Sequence, residues 1–342
     1  MAQALALKYR PHVFGDLCEQ SSIVKILTNQ IETNTIKHGY LFVGPAGCGK
    51  TTSARIFANM INHGEGTPIE LDAASNNSVD DIRELIDNAQ TQSLDSEYKV
   101  FVIDECHMIT TQGWNAFLKT LEEPPAKSIF IMCTTDPQKL PATILSRVQR
   151  YNFQKISTEG IENRLTYICE QEGIDAPKGA IEYLAKLAEG GMRDSITLLD
   201  KCLSYSSELT IDNIINALGV ADYSVMLELN DYIIDNTPKG IIDVINKVFN
   251  SGVDLKQFVK TYFEFILECN ILFITKDEHA VKIPENDIAH ILGYNDNEKA
   301  ILKELLSTLV SLQNSIKYEH SPKSVIIATL LLFEEGLHDR TN

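Results

Sequence analysis

A glycine-rich turn between an apolar strand and a helix constrains this chain more than any other segment. The apolar run Tyr-Leu-Phe-Val at 40–43 leads into Gly44-Pro45-Ala46-Gly47-Cys48-Gly49-Lys50-Thr51, and a helix is predicted from Thr52 to Asn62. The three glycines are expected to take positive φ angles and to turn successive N–H groups toward phosphate oxygens. Lys50 would supply charge for the outer phosphates and Thr51 a hydroxyl for Mg²⁺. Residues 44–52 therefore predict nucleotide binding.

Short apolar strands alternate with helical stretches through the first 156 residues. After the 40–43 strand, strands are expected at 69–71, 100–103, 129–133 and 150–153. A helix at 79–90 is expected behind a Ser78-x-x-Asp81 cap. Continuous apolar strands separated by helices predict an α/β fold with a parallel five-stranded sheet covered on both faces.

Beyond Ile156, apolar residues recur at helical spacing and the strand pattern ends. The length of 342 residues suffices for two or three domains. We expect a nucleotide-binding domain at 1–156, a small helical domain at 157–220 and an all-helical domain at 221–342.

Charge is distributed unevenly along the chain, whose formal net charge is −17. Residues 1–156 contain 14 Lys or Arg and 17 Asp or Glu. Residues 157–342 contain 16 Lys or Arg and 30 Asp or Glu. The nearly neutral first part leaves room for a local basic face that contacts nucleic acid.

The seven cysteines include no C-x-x-C pair, which argues against a zinc site or a disulfide framework and favours a reducing cytoplasm. No signal peptide is recognised at the start of the chain. The apolar run at 324–333 is too short to cross a bilayer, so no membrane partner is expected.

Two carboxylates, Asp104 and Glu105, follow the strand at 100–103, where ligands of open α/β sheets bind. We expect Asp104 to hold Mg²⁺ through water and Glu105 to polarise the water that attacks the γ-phosphate. The Asp-Glu-x-His pattern ending at His107 also occurs in helicases, although the chain is too short for two recombinase-like helicase domains. By itself, His107 is more often a structural hydrogen-bonding residue than a catalytic one.

Three further positions have more than one interpretation. Thr134-Thr135-Asp136 follows the fourth strand and can carry a hydroxyl to the γ-phosphate, but a strand-end turn is the simpler interpretation. Arg147 is by default a surface or salt-bridge residue. Arg193 opens a helix of the second domain, where it either reaches back to phosphate or pairs with a nearby acid.

Longer motifs decide among these interpretations. They are Lys8-Tyr9-Arg10-Pro11 with Phe14, the phosphate loop, Asp72-Ala73-Ala74-Ser75-Asn76, Asp104-Glu105 with His107, and the runs at 115–125, 134–141, 144–147 and 191–194. Together they resemble the gamma/tau subunits of the bacterial replicative DNA polymerase clamp loader, which are AAA+ ATPases. The resemblance is dense to about residue 220 and diffuse afterwards.

The resemblance implies a role for each uncertain residue. Thr135, with Thr134 as the less favoured choice, would sense the γ-phosphate, and Arg193 would couple ATP to closure of a helical lid. Arg147 would be an arginine finger that acts on ATP held by a neighbouring subunit. The residues expected to flank the adenine are Tyr9, Arg10 and Pro11.

The implied function is that of an ATP-driven motor subunit that opens a sliding clamp and loads it on primer-template DNA. Further copies and related subunits would complete a pentameric ring, joined by the helical third domains. DNA would be held by its backbone, through helix N-termini and residues such as Lys119, which equally fits a solvated helix position. The alternative is another AAA+ DNA motor of the helicase or branch-migration type.

Two departures from the family pattern affect these expectations. The family's four-cysteine zinc module is replaced by the short segment 62–67, so zinc is not expected. Val148 stands where the family has cysteine after Ser-Arg. This change should leave the role of Arg147 intact, because the guanidinium group of the arginine itself performs that role. No long tau extension is expected, since the sequence given stops soon after the third domain.

Overall fold

A computed structural model describes residues 3–218, 223–277, 280, 281, 283 and 285–341. Its contacts divide the chain into two compact units, Met1–Thr210 and Ile211–Asn342. The predicted boundary between residues 220 and 221 lies outside the described residues. The predicted division at 156 and 157 falls inside the first unit and stays a prediction.

A five-stranded parallel sheet forms the centre of the first unit, in the order β2-β3-β4-β1-β5. The strands are β1 Gly39–Val43, β2 Ile69–Asp72, β3 Lys99–Asp104, β4 Ser128–Thr134 and β5 Gln149–Asn152. Val43 at the end of β1 pairs with Thr134 of β4 and with Asn152 of β5. The loop after β1 therefore leaves the sheet between two other strand ends, which is where open α/β sheets bind ligands. The predicted parallel sheet is confirmed.

Nine helices with described bounds belong to the first unit. They are α1 Leu5–Lys8, α2 Ser21–Glu32, α3 Lys50–Ile61, α4 Val79–Ala89, α5 Thr111–Glu122, α6 Ala142–Leu145, α7 Thr158–Glu172, α8 Lys178–Leu187 and α9 Met192–Tyr205. Short 3-10 turns occur at Phe14–Asp16, Cys106–Met108 and Pro137–Lys139.

Alternate residues of each strand point to opposite faces of the sheet. On one face, Tyr40 and Phe42 pack with Phe57 of α3. On the other face, Leu41 packs with Phe117 of α5. All these side chains are at most 1% exposed, so both faces are covered, as continuous apolar strands require.

The second unit is built from helices joined by short turns, and its described residues include no strand. Its helices are α10 Ile211–Leu218, α11 Tyr223–Ile234, α12 Pro238–Asn250, α13 Leu255–Thr275, α14 Glu285–Leu292, α15 Asp296–Ser315 and α16 Pro322–Thr341, with a 3-10 turn at Ile316–Tyr318. The long α13 carries Phe258, Phe265 and Ile266 into a core shared with α15. Among the described helices, none combines the length and apolar character needed to span a membrane.

Candidate nucleotide-binding site

The phosphate loop follows β1 and uses its glycines in two different ways. Gly47 and Gly49 have φ angles of 72° and 98°, which L side chains rarely adopt. Gly44 is not among the positive-φ residues, so the expectation of a positive φ there is wrong. A Cβ on Gly44 would instead lie 2.6 Å from the carbonyl oxygen of Phe153. Gly44 is needed because the loop passes directly against the end of β5.

Lys50 begins α3, two residues earlier than predicted, because Gly49 ends the loop in a left-handed conformation. The Lys50 side chain is 6% exposed. Its Nζ donates to the carbonyl oxygens of Gly44 at 2.9 Å and Pro45 at 2.7 Å. The loop therefore holds the ammonium group beside the N–H groups that would face an anion.

Cys48 is a buried member of the same loop, 1% exposed. Its Sγ lies 3.0 Å from the carbonyl oxygen of Pro45. Burial raises the pKa of the Cys48 thiol, so the side chain stays neutral and packs as a small apolar group.

Thr51 and Asp104 meet at the carboxyl end of the sheet. The Thr51 hydroxyl donates to Oδ2 of Asp104 at 2.8 Å, and Oδ1 of Asp104 accepts the N–H of Glu105 at 3.0 Å. Hydroxyl and carboxylate oxygens are ligands that Mg²⁺ prefers in nucleotide sites, where one or two protein oxygens complement the phosphates. Within the described ranges, no three His, Cys, Asp or Glu side chains converge on a metal position.

Glu105 has a φ of 46°, a left-handed conformation that is uncommon outside glycine. Its Oε2 accepts a hydrogen bond from the Thr135 hydroxyl at 3.3 Å. Thr134 is fully buried, and its Oγ1 accepts the N–H of Asp136 at 3.0 Å. The structure thus brings Thr135, and not Thr134, to the carboxylate of Glu105.

A cavity of about 550 Å³ opens beside the loop. It is bounded by the phosphate loop, by the amino-terminal segment and by α9. The predicted site residues that line it are Tyr9, Arg10, Pro11, Ala46, Gly47, Cys48, Gly49, Lys50, Thr51, Thr52, Asp104, Glu105 and Arg193. Gly44, Pro45, Thr135 and Arg147 do not line it.

Arg10 bridges the amino-terminal segment and α3, since its Nε donates to the Thr52 hydroxyl at 3.2 Å. Burial lowers the pKa of Arg10 from its ordinary value. Arg164 of α7 also lines the cavity, and its Nη2 donates to the carbonyl oxygen of Tyr9 at 2.9 Å. Sequence reasoning missed Arg164, because nothing distinguishes it from other polar positions on an amphipathic helix.

Helix α9 touches the phosphate loop through backbone atoms. The N–H of Met192 donates to the carbonyl oxygen of Gly47 at 3.0 Å. A Cβ on Gly47 would lie 2.9 Å from Cα of Gly191. This close approach brings the first turn of α9, and with it Arg193, to the edge of the cavity.

Arg147 lies outside the cavity, at the end of α6. Its Nη2 pairs with Oε1 of Glu122 at 2.6 Å, and its Nη1 donates to the carbonyl oxygen of Thr143 at 2.7 Å. Lys119 is exposed on α5. Neither side chain serves the nucleotide cavity of its own chain.

Two family descriptions match the first unit. Residues 62–157 match "DNA polymerase III, delta subunit", and residues 160–208 match "DNA polymerase III clamp loader subunit, ATPase lid domain". The second match covers most of α7 and all of α8 and α9.

Curated relatives give the same assignment. The chain is 36% identical to the DNA polymerase III subunit tau of Bacillus subtilis (strain 168) over an alignment of 281 positions, which covers 75% of this chain and 50% of that protein. It is 41% identical to the DNA polymerase III subunit tau/gamma of Haemophilus influenzae over an alignment of 247 positions, which covers 65% of this chain and 36% of that protein.

Among solved structures, the chain is similar to the Thermotoga maritima RuvB Holliday junction branch migration motor. The TM-score is 0.52 at 18% identity, over 66% of this chain and 79% of that one. At this identity the likeness concerns the fold alone, which, together with the ATPase lid match at 160–208, is an AAA+ fold followed by a helical lid.

The chain spans half or less of the length of these two curated relatives. The two family matches include the Asp104-Glu105 pair and the helices α7 to α9. The chain is therefore a relative of the gamma/tau subunits of DNA polymerase III.

Proposed function

We propose that this chain is an ATP-driven motor subunit of a clamp loader, part of a DNA polymerase holoenzyme, which opens a sliding clamp and loads it on primer-template DNA. The observation that carries the proposal is the 2.8 Å contact between Thr51 and Asp104 beside the phosphate loop. This contact joins the two oxygen ligands that MgATP requires, in a chain related to DNA polymerase III subunits.

Residues at the mouth of the loop have the chemistry for ATP hydrolysis. Lys50 would transfer its Nζ from the carbonyl oxygens of the loop to the outer phosphates. Mg²⁺, held by Thr51 and Asp104, would offset charge on the phosphate oxygens. Glu105 would accept a proton from the attacking water, and Thr135 would orient that water or the γ-phosphate.

The adenine would lie against the amino-terminal segment, between Tyr9, Arg10 and Pro11. Arg193 enters from α9, whose first turn is already bonded to the loop at Gly47. Phosphate bound to Arg193 would therefore be coupled to the position of the lid. No residue of this set requires zinc, and the absence of a zinc module stays a prediction.

Arg147 is proposed to act on ATP held by a neighbouring subunit. Its guanidinium lies outside the cavity of its own chain, paired with Glu122 at the surface, where another subunit can approach. A finger that acts in trans requires an oligomer, which we propose is a pentameric ring of copies and related subunits, joined through residues 221–342. Lys119 is a candidate contact to the DNA backbone, and we place this assembly in the cytoplasm.

The proposal is tested by measuring ATP hydrolysis with and without a sliding clamp and primed DNA, in the presence of any companion subunits. Stimulation by clamp and DNA together is the expected result. ATP hydrolysis that neither the clamp nor the DNA stimulates would contradict clamp loading, although the chain would still be an ATPase.

Complementation tests the proposed interfacial site. A Lys50→Ala chain should not bind ATP, and an Arg147→Ala chain should bind it but fail to activate its neighbour. Mixed assemblies should recover partial turnover, because some interfaces then combine an intact loop with an intact finger. Normal hydrolysis by Arg147→Ala alone would rule out the finger and favour a self-contained nucleotide switch.

A helicase or branch-migration motor is the competing function. It shares this fold but predicts ATP-driven strand separation or junction movement without any clamp. Such activity, measured on forked or four-way DNA, would replace the clamp-loader proposal. The relatives at 36% and 41% identity favour the clamp loader.

A further inference from the structure

His107 lies between the ends of two neighbouring strands. Its Nδ1 is 3.0 Å from Oγ1 of Thr134 at the end of β4 and 3.3 Å from Oε2 of Glu105, which follows β3. The imidazole is 10% exposed. One ring nitrogen therefore faces both the proposed catalytic carboxylate and the segment that carries Thr135.

Electrostatics selects the protonation of this nitrogen. An unprotonated Nδ1 would direct its lone pair at a carboxylate oxygen 3.3 Å away, and the two would repel each other. A protonated Nδ1 donates to Thr134 and places positive partial charge beside Glu105. The Nδ1–H form is therefore favoured, and the histidine attracts the carboxylate.

A second side chain contacts the same oxygen, Oε2 of Glu105. The Thr135 hydroxyl donates to Oε2 of Glu105, the oxygen that Nδ1 of His107 approaches. Across the described residues, no hydrogen bond engages Oε1. Two anchors on Oε2 fix the rotamer and leave Oε1 free to accept a proton from water.

The backbone at Glu105 needs such anchors. Its φ of 46° is a left-handed conformation that is strained in a non-glycine residue and persists only where the surrounding structure holds it. If His107 only stabilised the end of β4, a hydrogen bond to Thr134 would suffice, and Nδ1 would not need to lie near Glu105. The approach to both groups ties the end of β3 to the end of β4.

We propose that His107 is a positioning residue, which holds Glu105 in the orientation for proton abstraction and links it to the Thr134-Thr135 segment. This inference rests on the proposed ATPase function. His107 does not touch the nucleotide; it acts through Glu105.

The contact itself is tested without nucleotide, by long-range ¹H–¹⁵N NMR of the histidine rings in the full chain. The His107 ring should be in the Nδ1–H form, and Glu105→Gln should shift its resonances while those of exposed His63 stay in place. An Nε2–H form, or a His107 ring that does not respond to Glu105→Gln, would overturn the proposal.

The role is tested by three substitutions at the same position. His107→Asn keeps an N–H donor near the position of Nδ1. His107→Gln places the donor near the position of Nε2 instead, and His107→Ala removes the donor. His107→Ala and His107→Gln should lower kcat roughly 10- to 100-fold, as misplaced catalytic groups do. ATP affinity and thermal unfolding should change little, and His107→Asn should recover most of the activity.

The control is His63→Asn, at an exposed position whose φ of 53° asparagine tolerates, and it should behave as wild type. Equal activity of the Asn and Gln variants would overturn the positioning role while the ATPase proposal stands. A wild-type chain that shows no turnover even with clamp, DNA and companion subunits would overturn the function, and the inference with it.

Discussion

Gly44 shows how a single residue can be fixed by packing and not by its φ angle. The Cβ of an alanine at this position would lie 2.6 Å from O and 2.8 Å from Cβ of Phe153. Because the backbone directly after β5 cannot move aside cheaply, Gly44→Ala should destabilise the first unit by about 1–3 kcal/mol, the usual cost of overpacking. Thermal unfolding and nucleotide affinity should both fall.

Gly15 provides the matched control for this substitution. No heavy atom lies within 4 Å of a Cβ built on Gly15, so Gly15→Ala should leave both measurements close to wild type. Equal effects of the two alanines would contradict the packing argument.

Thr135 offers a second test at the residue scale. Its hydroxyl donates to Glu105, so Thr135→Val should lower kcat for ATP hydrolysis, roughly 10- to 100-fold for a catalytic carboxylate that loses its orientation. Thr135→Ser keeps the hydroxyl and should retain most of the rate. Nucleotide binding, measured with a fluorescent ATP analogue, should be similar in both variants. A serine variant as slow as valine would show that the hydroxyl is not what matters.

Among the elements, α4 has a start that the sequence predicted in detail. The Ser78 hydroxyl accepts the N–H of Asp81 at 3.2 Å, and the Asp81 carboxylate accepts the N–H of Ser78 at 2.9 Å. Hydrogen bonds from the side chain and backbone of Ser78 lower the pKa of Asp81 below its ordinary value of 3.8. The predicted capping box is confirmed.

The lowered pKa of Asp81 predicts a pH-dependent contribution to stability. A carboxyl with a depressed folded-state pKa stabilises the fold above its unfolded pKa, near 3.8, and loses that contribution as pH falls through the folded value. The difference in melting temperature between wild type and Asp81→Asn should therefore be largest near neutral pH and shrink below about pH 4.

The neighbouring Asp80 supplies the control for the capping-box prediction. Its carboxylate pairs with Arg83 on the exposed side of α4 and not with the helix start. Asp80→Asn should change the melting temperature much less at neutral pH, because exposed ion pairs contribute little. A similar loss for both variants would mean that the cap does not stabilise α4.

At the scale of the whole molecule, the seven cysteines report on folding and on occupancy of the cavity. Six are buried, and Cys18 is partly exposed and lines the nucleotide cavity. Burial raises the pKa of the Cys169 and Cys202 thiols to about 11, and it also raises that of Cys18. Since the thiolate is the reactive form, a thiol reagent at pH 8 should modify Cys18 first and the others only after unfolding.

MgATP should slow this labelling, because the nucleotide would cover Cys18. Mass spectrometry after brief exposure to the reagent should find about one modified site per native chain, and almost none in a Cys18→Ser variant. Labelling that MgATP does not slow would argue against a nucleotide in this cavity.

Long-range contacts place the amino-terminal segment, which local patterns described poorly. Gln20 donates through its side chain to the carbonyl oxygen of Gln154 at 2.8 Å, and the Glu19 carboxylate accepts the N–H of Ser157 at 3.0 Å. Glu19 and Gln20 both have positive φ. These contacts tie residues beside the cavity to the connection between β5 and α7, and no periodicity in the sequence predicts them.

The sequence by itself determined the elements and the local chemistry of this protein. Strand β1, the phosphate loop, the α4 cap and the Asp104-Glu105 pair all depend on residues that are close in the chain, where conformational preferences act directly. Tertiary structure decided which groups meet: Thr135 and His107 at Glu105, Arg164 at the cavity, and Gly44 against β5. These contacts join residues brought together by strand order and helix packing, which a pattern of neighbouring residues does not encode.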